Sequence, residues 1–228
     1  MTRDELADKL DHLDPGATLT VKETILAALF GDARRSTARS LGFGSMGRET
    51  AADAPDALVG KDKLAVVDAD ALHWLSERET WWTQVSPYSL VLTPHIGELA
   101  ALTGRTPDAI LGDPSGSTVD AANQWRQIVV LKAGKTWVSD GESVHALEEV
   151  APALATAGSG DVLAGSIGAF LAQGLSPVDA ASLAIYAGTQ AAFGLTGELS
   201  SLGVVASDLP RAIANVLAEL ETESDASR

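Results

Sequence analysis

Apolar residues follow two periods along this chain. Short runs bounded by polar residues, LAVVD at Leu64–Asp68, SLVLT at Ser89–Thr93 and IVVLK at Ile128–Lys132, are too brief for helices and predict buried strands. Between them Ala71–Arg78, Ile96–Leu102 and Thr118–Trp125 repeat their apolar positions every three or four residues and predict helices. Alternation of this kind is the pattern of a mostly parallel sheet with helices on both faces. A short weak strand is expected at Ala38–Leu41. KTWVS and ESVHAL flank Asp140 and Gly141, which predicts one hairpin closed by a two-residue Asp-Gly turn. The C-terminal third is helical, because Ser159–Leu171, Pro177–Gly194 and Ser207–Leu220 keep a continuous helical period with many Ala and Gly for close packing.

The first forty residues read differently. Thr2 with Glu5 and Thr20 with Glu23 are capping-box pairs, each of which opens a short helix. Leu6, Leu10 and Leu13 line the first, Ile25, Leu26, Leu29 and Phe30 the second, and Asp14–Gly16 separates them. The tail ETESDASR, residues 221–228, is expected to fray. No repeat or linker interrupts the pattern, so residues 1–228 predict a single α/β domain.

Charge narrows the partners. The chain carries 31 Asp and Glu against 16 Lys and Arg, a net charge of −15. Binding to nucleic acid or to an anionic membrane surface draws on clustered cations, so neither is expected, and any bound anion must be held locally. A hydrophobic fraction of 46% is enough for a sizeable core and excludes a disordered chain. The absence of cysteine removes disulfides, thiolate nucleophiles and thiolate metal sites, and fits a reducing compartment. MTRDELADKL lacks the apolar core of a signal peptide, and no stretch approaches the ~20 apolar residues of a membrane span. A cytoplasmic protein is expected.

Five segments could carry chemistry. AGSGDVLAG, Ala157–Gly165, sets two glycines and a serine before a long apolar helix, where first-turn amides and a helix dipole of about half a positive charge favour a phosphate. Asp161 in that first turn suits a base that takes a proton from a hydroxyl; the structural reading is an ordinary helix start with a favourable acid. TPHIGE, Thr93–Glu98, follows a strand, where ligands gather in open α/β sheets. His95 could donate to or accept from a polar substrate, and Glu98 could reach a metal or phosphate; capping and dipole complementarity are the structural readings. KAGKT, Lys132–Thr136, lacks the spacing and the following helix of a Walker loop, yet its Lys, Gly and Thr could hold a nucleotide phosphate or ribose. LGFGSMG, Leu41–Gly47, could cradle substrate through its amides. In VVDADAL, Asp70 is expected to cap the next helix, and Asp68 belongs either to a structural hydrogen bond or to the site rim. His12, His73 and His145 share no metal-like spacing, and Trp74, Trp81 and Trp82 read as packing aromatics.

Taken in order, LGFGSMG, VVDADAL, LVLTPHIGELAALTG, VVLKAGKT and LATAGSGDVLAGSIGAFLAQGLSPVDAA resemble the ADP-dependent NAD(P)H-hydrate dehydratase family of the ribokinase-like superfamily. The resemblance runs from about Leu41 to the C-terminus, including GVVASDLP, and TPHxGE with ATAGSGDVLAG is its most specific part. It implies a three-layer ribokinase-like α/β fold and a repair enzyme that dehydrates the S epimer of hydrated NADH or NADPH, using ADP and releasing AMP and phosphate. Carried over residue by residue, it puts Gly44 and His95 on the hydrated nicotinamide, with Asp161 at the reacting hydroxyl. It assigns Lys132, Ala133, Gly134, Lys135, Thr136 and Gly160 to AMP, and the amides of Gly158, Ser159 and Gly160 would meet the phosphate charge. ADP is the expected co-substrate, with ATP as a substitute and Mg2+ in attendance, its ligands unassigned. A homo-oligomer and a functional partnership with an NAD(P)H-hydrate epimerase are also implied.

One departure stands out. Family members begin with a glycine-rich strand-turn-helix of GSxxYxGA type and a further strand and helix, and these forty residues match neither, so an N-terminally reduced version of the fold is expected. LGFGSMG also lacks the proline of the family's GPGLG pattern. A divergent member without turnover, a chain that starts downstream of the complete gene, and a gap covered by a neighbouring subunit are all compatible with this. The alternative functions are a ribokinase-like kinase of a vitamin precursor or sugar, and a noncatalytic nucleotide-binding relative.

Overall fold

The three apolar runs form strands where their texture places them. The structure is a computed structural model and describes residues 64–226 together with a strand at Ala38–Leu41; the two helices expected near the N-terminus, and Gly44, lie outside the described residues. Strands β1 (Ala38–Leu41), β2 (Leu64–Val67), β3 (Leu90–Leu92) and β4 (Ile128–Ala133) pair in parallel in chain order. Strands β5 (Lys135–Ser139) and β6 (Val144–Leu147) add in antiparallel, which gives a six-stranded, mostly parallel sheet of order β1-β2-β3-β4-β5-β6. The described residues fall into two compact units, one Ser36–Glu148 and the other including Glu149–Arg228.

In the first unit the crossovers are helical: α1 (Asp70–Ser76) links β2 to β3, and α2 (Ile96–Thr103), α3 (Pro107–Gly112) and α4 (Pro114–Trp125) link β3 to β4. The register aligns Ala65 with Leu90, Val67 with Leu92, and Leu92 with Val129. These residues and Leu131 form one face, packed with Leu72 and Leu75 of α1, Leu99 of α2, Ile110 of α3 and Trp125 of α4. Their neighbours on the opposite face, Val66, Val91, Ile128 and Val130, are buried as well. Burial of both faces is why these strands read as unbroken apolar runs rather than as alternating ones. Trp81 packs against Trp82 and Trp125 with ring centroids 5.7 and 5.4 Å apart, so the aromatic crowd belongs to the core, as its sequence suggested.

Three local expectations need correction. Asp70 does not cap α1: Ala69 holds the N-cap position and no side chain bonds the helix start. Ser139 pairs with Val144, so the β5–β6 connection is a four-residue loop rather than a two-residue turn. Asp140 organises that loop, its Oδ1 accepting from the amides of Glu142 at 3.0 Å and Ser143 at 2.8 Å, which takes the place of paired positive torsions. A second hairpin also joins β4 to β5 around Gly134, whose φ of 70° makes the reversal. Helix α4 begins four residues before its expected start because Asp113 caps it and Pro114 opens it.

The second unit is helical. Helices α5 (Ser159–Ala172), α6 (Pro177–Leu199) and α7 (Leu209–Ala226) pack with α6 against both of the others. Ser176 caps α6 through the Asp179 amide, with Pro177 at its first position. Among the described residues no helix is long and apolar enough to cross a membrane.

Candidate active site

In the first unit, chemistry-bearing residues gather at the carboxyl ends of β2, β3 and β4. Asp68 directly follows β2 and is 4% exposed, and its Oδ1 accepts from Nζ of Lys132 on β4 at 2.9 Å. Between these strands the TPHIGE segment leaves β3. Thr93 donates its amide to the Val67 carbonyl at 3.0 Å, and the Pro94 carbonyl accepts from the Lys132 amide at 2.9 Å, so the segment is clamped to both neighbours. His95 and Lys132 extend the parallel pairing by one bridge.

His95 opens α2. Its Nδ1 accepts from the amides of Gly97 at 3.0 Å and Glu98 at 3.2 Å, while a Glu98 carboxylate oxygen accepts from the His95 amide at 2.8 Å. This is a capping box with imidazole in the usual place of a hydroxyl. Because Nδ1 is an acceptor, the neutral ring carries its proton on Nε2, which lies 3.5 Å from the other Glu98 oxygen. The His95 side chain is 59% exposed at the strand ends. Gly97 makes this possible: a Cβ there would stand 3.0 Å from His95 Cε1. Burial raises the Glu98 carboxyl above its ordinary value, helped by the nearby Asp68 charge and against the lowering effects of the His95 amide and of the Lys132 charge.

KAGKT is the β4–β5 reversal. Lys132 pairs with Thr136 across the ladder and Ala133 with Lys135, so Lys132 and Thr136 share one face and Lys135 occupies the other. Lys135 makes an ion pair with Glu148. No helix follows the segment, as its sequence implied, which separates it from a Walker loop.

In the second unit, Gly158 is the N-cap of α5, with φ 88°, and no side chain caps this helix. The Ser159 hydroxyl donates back to the Leu154 carbonyl at 2.6 Å, leaving the Gly160 amide to the first turn, where a helix has no carbonyl of its own to offer. Asp161 is the acid of that turn. Backbone amides, a helix dipole and one carboxylate are what an anion site paired with a base requires. Among the described residues no three His, Asp or Glu side chains stand together to hold a metal.

The model of the NAD(P)H-hydrate dehydratase family matches residues 13–215. The chain belongs to that family. It is 38% identical over 164 residues to the bifunctional NAD(P)H-hydrate repair enzyme Nnr of Moorella thermoacetica, a match covering 69% of this chain and 31% of that protein. It is 41% identical over 122 residues to the ADP-dependent (S)-NAD(P)H-hydrate dehydratase of Neisseria meningitidis serogroup B, covering 53% of this chain and 41% of that one. The matches thus span under half the length of these relatives. The structure resembles the ADP/ATP-dependent NAD(P)H-hydrate dehydratase of Bacillus subtilis, co-crystallised with ATP/Mg2+ and soaked with CoA, with a TM-score of 0.71 at 24% identity over 87% of this chain and 72% of that one. That likeness establishes the ribokinase-like α/β fold expected from the sequence.

Within this dehydratase-family chain the first unit brings His95, Lys132, Ala133, Gly134, Lys135 and Thr136 to adjoining strand ends, and the second holds Gly158, Ser159, Gly160 and Asp161 on one helix start. Two features were not read from sequence. The pairing of Asp68 with Lys132 joins residues 64 apart on strands that are not neighbours, and only the β3 position between them reveals it. Gly97 left a signal, a glycine two residues after a strand-end histidine, which is the spacing an imidazole cap needs.

Proposed function

We propose that this chain dehydrates the S epimer of hydrated NADH or NADPH, consuming ADP and releasing AMP and phosphate. The observation that carries the reading is the start of α5, a family-matching GSGD whose amides and carboxylate suit phosphoryl transfer to a hydroxyl. Asp161 takes the proton of the substrate hydroxyl, whose oxygen then bonds to the terminal phosphorus of ADP as the bond to AMP breaks. Loss of that phosphate with a proton from the adjacent carbon restores the double bond of the dihydropyridine. The amides of Gly158 and Gly160 meet the charge that develops on the transferred group, joined by the Ser159 amide once it leaves the Thr156 carbonyl to which it donates at 3.3 Å. His95 presents Nε2–H to the hydrated nicotinamide, with Gly44 as its companion, while Lys132–Thr136 and Gly160 hold the AMP portion. Magnesium would attend the nucleotide phosphates and help to neutralise their charge, with no residue of this chain assigned to it. The same proposal includes one ribokinase-like domain over the whole chain, a cytoplasmic homo-oligomer, ATP as a substitute for ADP, and cooperation with an epimerase that supplies the S form.

The test is to incubate the protein with hydrated NADH, magnesium and ADP or ATP in parallel and follow recovery of the reduced-nicotinamide absorbance. Recovery with AMP formation, lost in Asp161→Asn, is expected. ADP binding without recovery would overturn the reading in favour of a noncatalytic relative, and phosphorylation of a vitamin precursor or sugar by ATP would replace it with a kinase.

A further inference from the structure

The turn that follows β2 is strained for a reason the assigned roles do not supply. Ala69 has φ 50° and ψ −123°, the conformation of the second residue of a type II′ turn, where glycine ordinarily sits because a Cβ is crowded there. The turn is closed by the Ala71 amide on the Asp68 carbonyl at 3.2 Å, and Ala69's own carbonyl receives the amides of Leu72 and His73. Such outliers persist only where surrounding structure over-determines them, and they cluster where a side chain must be aimed. The side chain aimed here is that of Asp68, with only 6% of its surface exposed and its Oδ1 2.9 Å from Lys132 Nζ.

Stability alone explains this pair poorly. A buried carboxylate and ammonium lose hydration on folding, and replacing such a pair by apolar residues is often neutral or stabilising. What the pair does achieve is geometric. Lysine is a point charge on a flexible stem, and its ammonium carries three donors. One donor is fixed on Asp68, the one hydrogen-bond partner that Nζ has among the described residues. The Lys132 side chain remains 27% exposed at the carboxyl end of β4, in the segment that begins KAGKT. The two remaining donors are therefore held at a set place on the rim rather than swept over the reach of a free lysine.

We propose that Asp68 is a positioning residue, held by the strained Ala69 turn, which fixes the Lys132 ammonium for the phosphates of the bound nucleotide. The inference rests on the reading of Lys132–Thr136 as the nucleotide-holding segment and deepens it: Lys132 is placed on the phosphates rather than on the nucleoside, and Asp68 acts only through it. A charge-assisted hydrogen bond lost to a wandering ammonium weakens ADP binding by about tenfold.

The experiment titrates ADP and, separately, adenosine into the wild type, Asp68→Asn, Lys132→Met and the double variant by calorimetry. Asp68→Asn is expected to weaken ADP about tenfold, to leave adenosine unchanged, and to add nothing once Lys132 is methionine. An unchanged ADP affinity, equal losses for ADP and adenosine, or the same loss in the Lys132→Met background would each overturn the proposal. A wild type that binds neither ligand would overturn the nucleotide reading itself, and the role of Asp68 with it. Should Asp68→Asn not fold, amine labelling of the wild type read by mass spectrometry keeps the test alive. ADP is expected to protect Lys132 where adenosine does not, and equal labelling would overturn the assignment.

Discussion

Burial holds the Glu98 carboxyl above its ordinary value of 4.5, and the His95 amide and the Lys132 charge only partly offset it. The folded chain therefore binds this proton more tightly than the unfolded chain does. The resulting stabilisation is complete below the unfolded value and is lost as pH rises through the higher folded one. Glu98→Gln keeps an acceptor for the His95 amide and removes the ionisation. Measured by thermal melting from about pH 4 to about pH 7, the difference in melting temperature between Gln and Glu should move in favour of Gln as pH rises. A shift in favour of Glu would mean that attraction to the α2 dipole outweighs burial. His95 and Glu98 were legible as candidates because TPHIGE follows an apolar run, and their capping reading was legible too. What sequence could not give is the orientation of the ring, which caps with Nδ1 and so carries its proton on Nε2.

At the scale of elements, the helix start that carries the proposed phosphate site is also its most sequence-sensitive part. Gly158 lies at φ 88°, and a Cβ there would stand 3.1 Å from that of Ala206. Gly134, at φ 70° in the β4–β5 turn, has nothing within 4 Å of its would-be Cβ. Both alanine variants place a side chain in the left-handed region, which costs about 1–2 kcal/mol. Gly158→Ala adds a steric conflict, so denaturant unfolding should show it losing more stability than Gly134→Ala; equal losses would show that Ala206 yields freely. The elements themselves were legible wherever a period had room to repeat: β1 to β4, α2, α5 and the opening of α6 begin within a residue of their expected positions. Helix α3 was missed because six residues, PDAILG, are too few to display a helical period. The β5–β6 loop was misjudged because Asp140 takes two amides with its side chain, a choice that an Asp-Gly pair does not announce.

For the whole molecule, charge is the property that sequence states most directly and that local structure modifies least. If every one of the 16 Lys and Arg were paired, 31 − 16 = 15 acidic groups would still lack a cationic partner. The described ion pairs of the surface, Arg105 with Asp120 and Lys135 with Glu148, are of the exposed kind that contributes little. Mutual repulsion of the excess acids therefore opposes the compact state more than these pairs support it. Raising ionic strength from about 0.01 M to about 0.15 M shortens the screening length from about 30 Å to about 8 Å, which suppresses repulsion between distant carboxylates. The partly buried Asp68–Lys132 pair is screened less by the same change. Calorimetric melting in sodium chloride over that range should show a melting temperature that rises with salt, most steeply at the dilute end. A fall would mean that attractive surface pairs govern stability, and the excess of acids would then have to be explained by something other than the folded chain's own balance of charge.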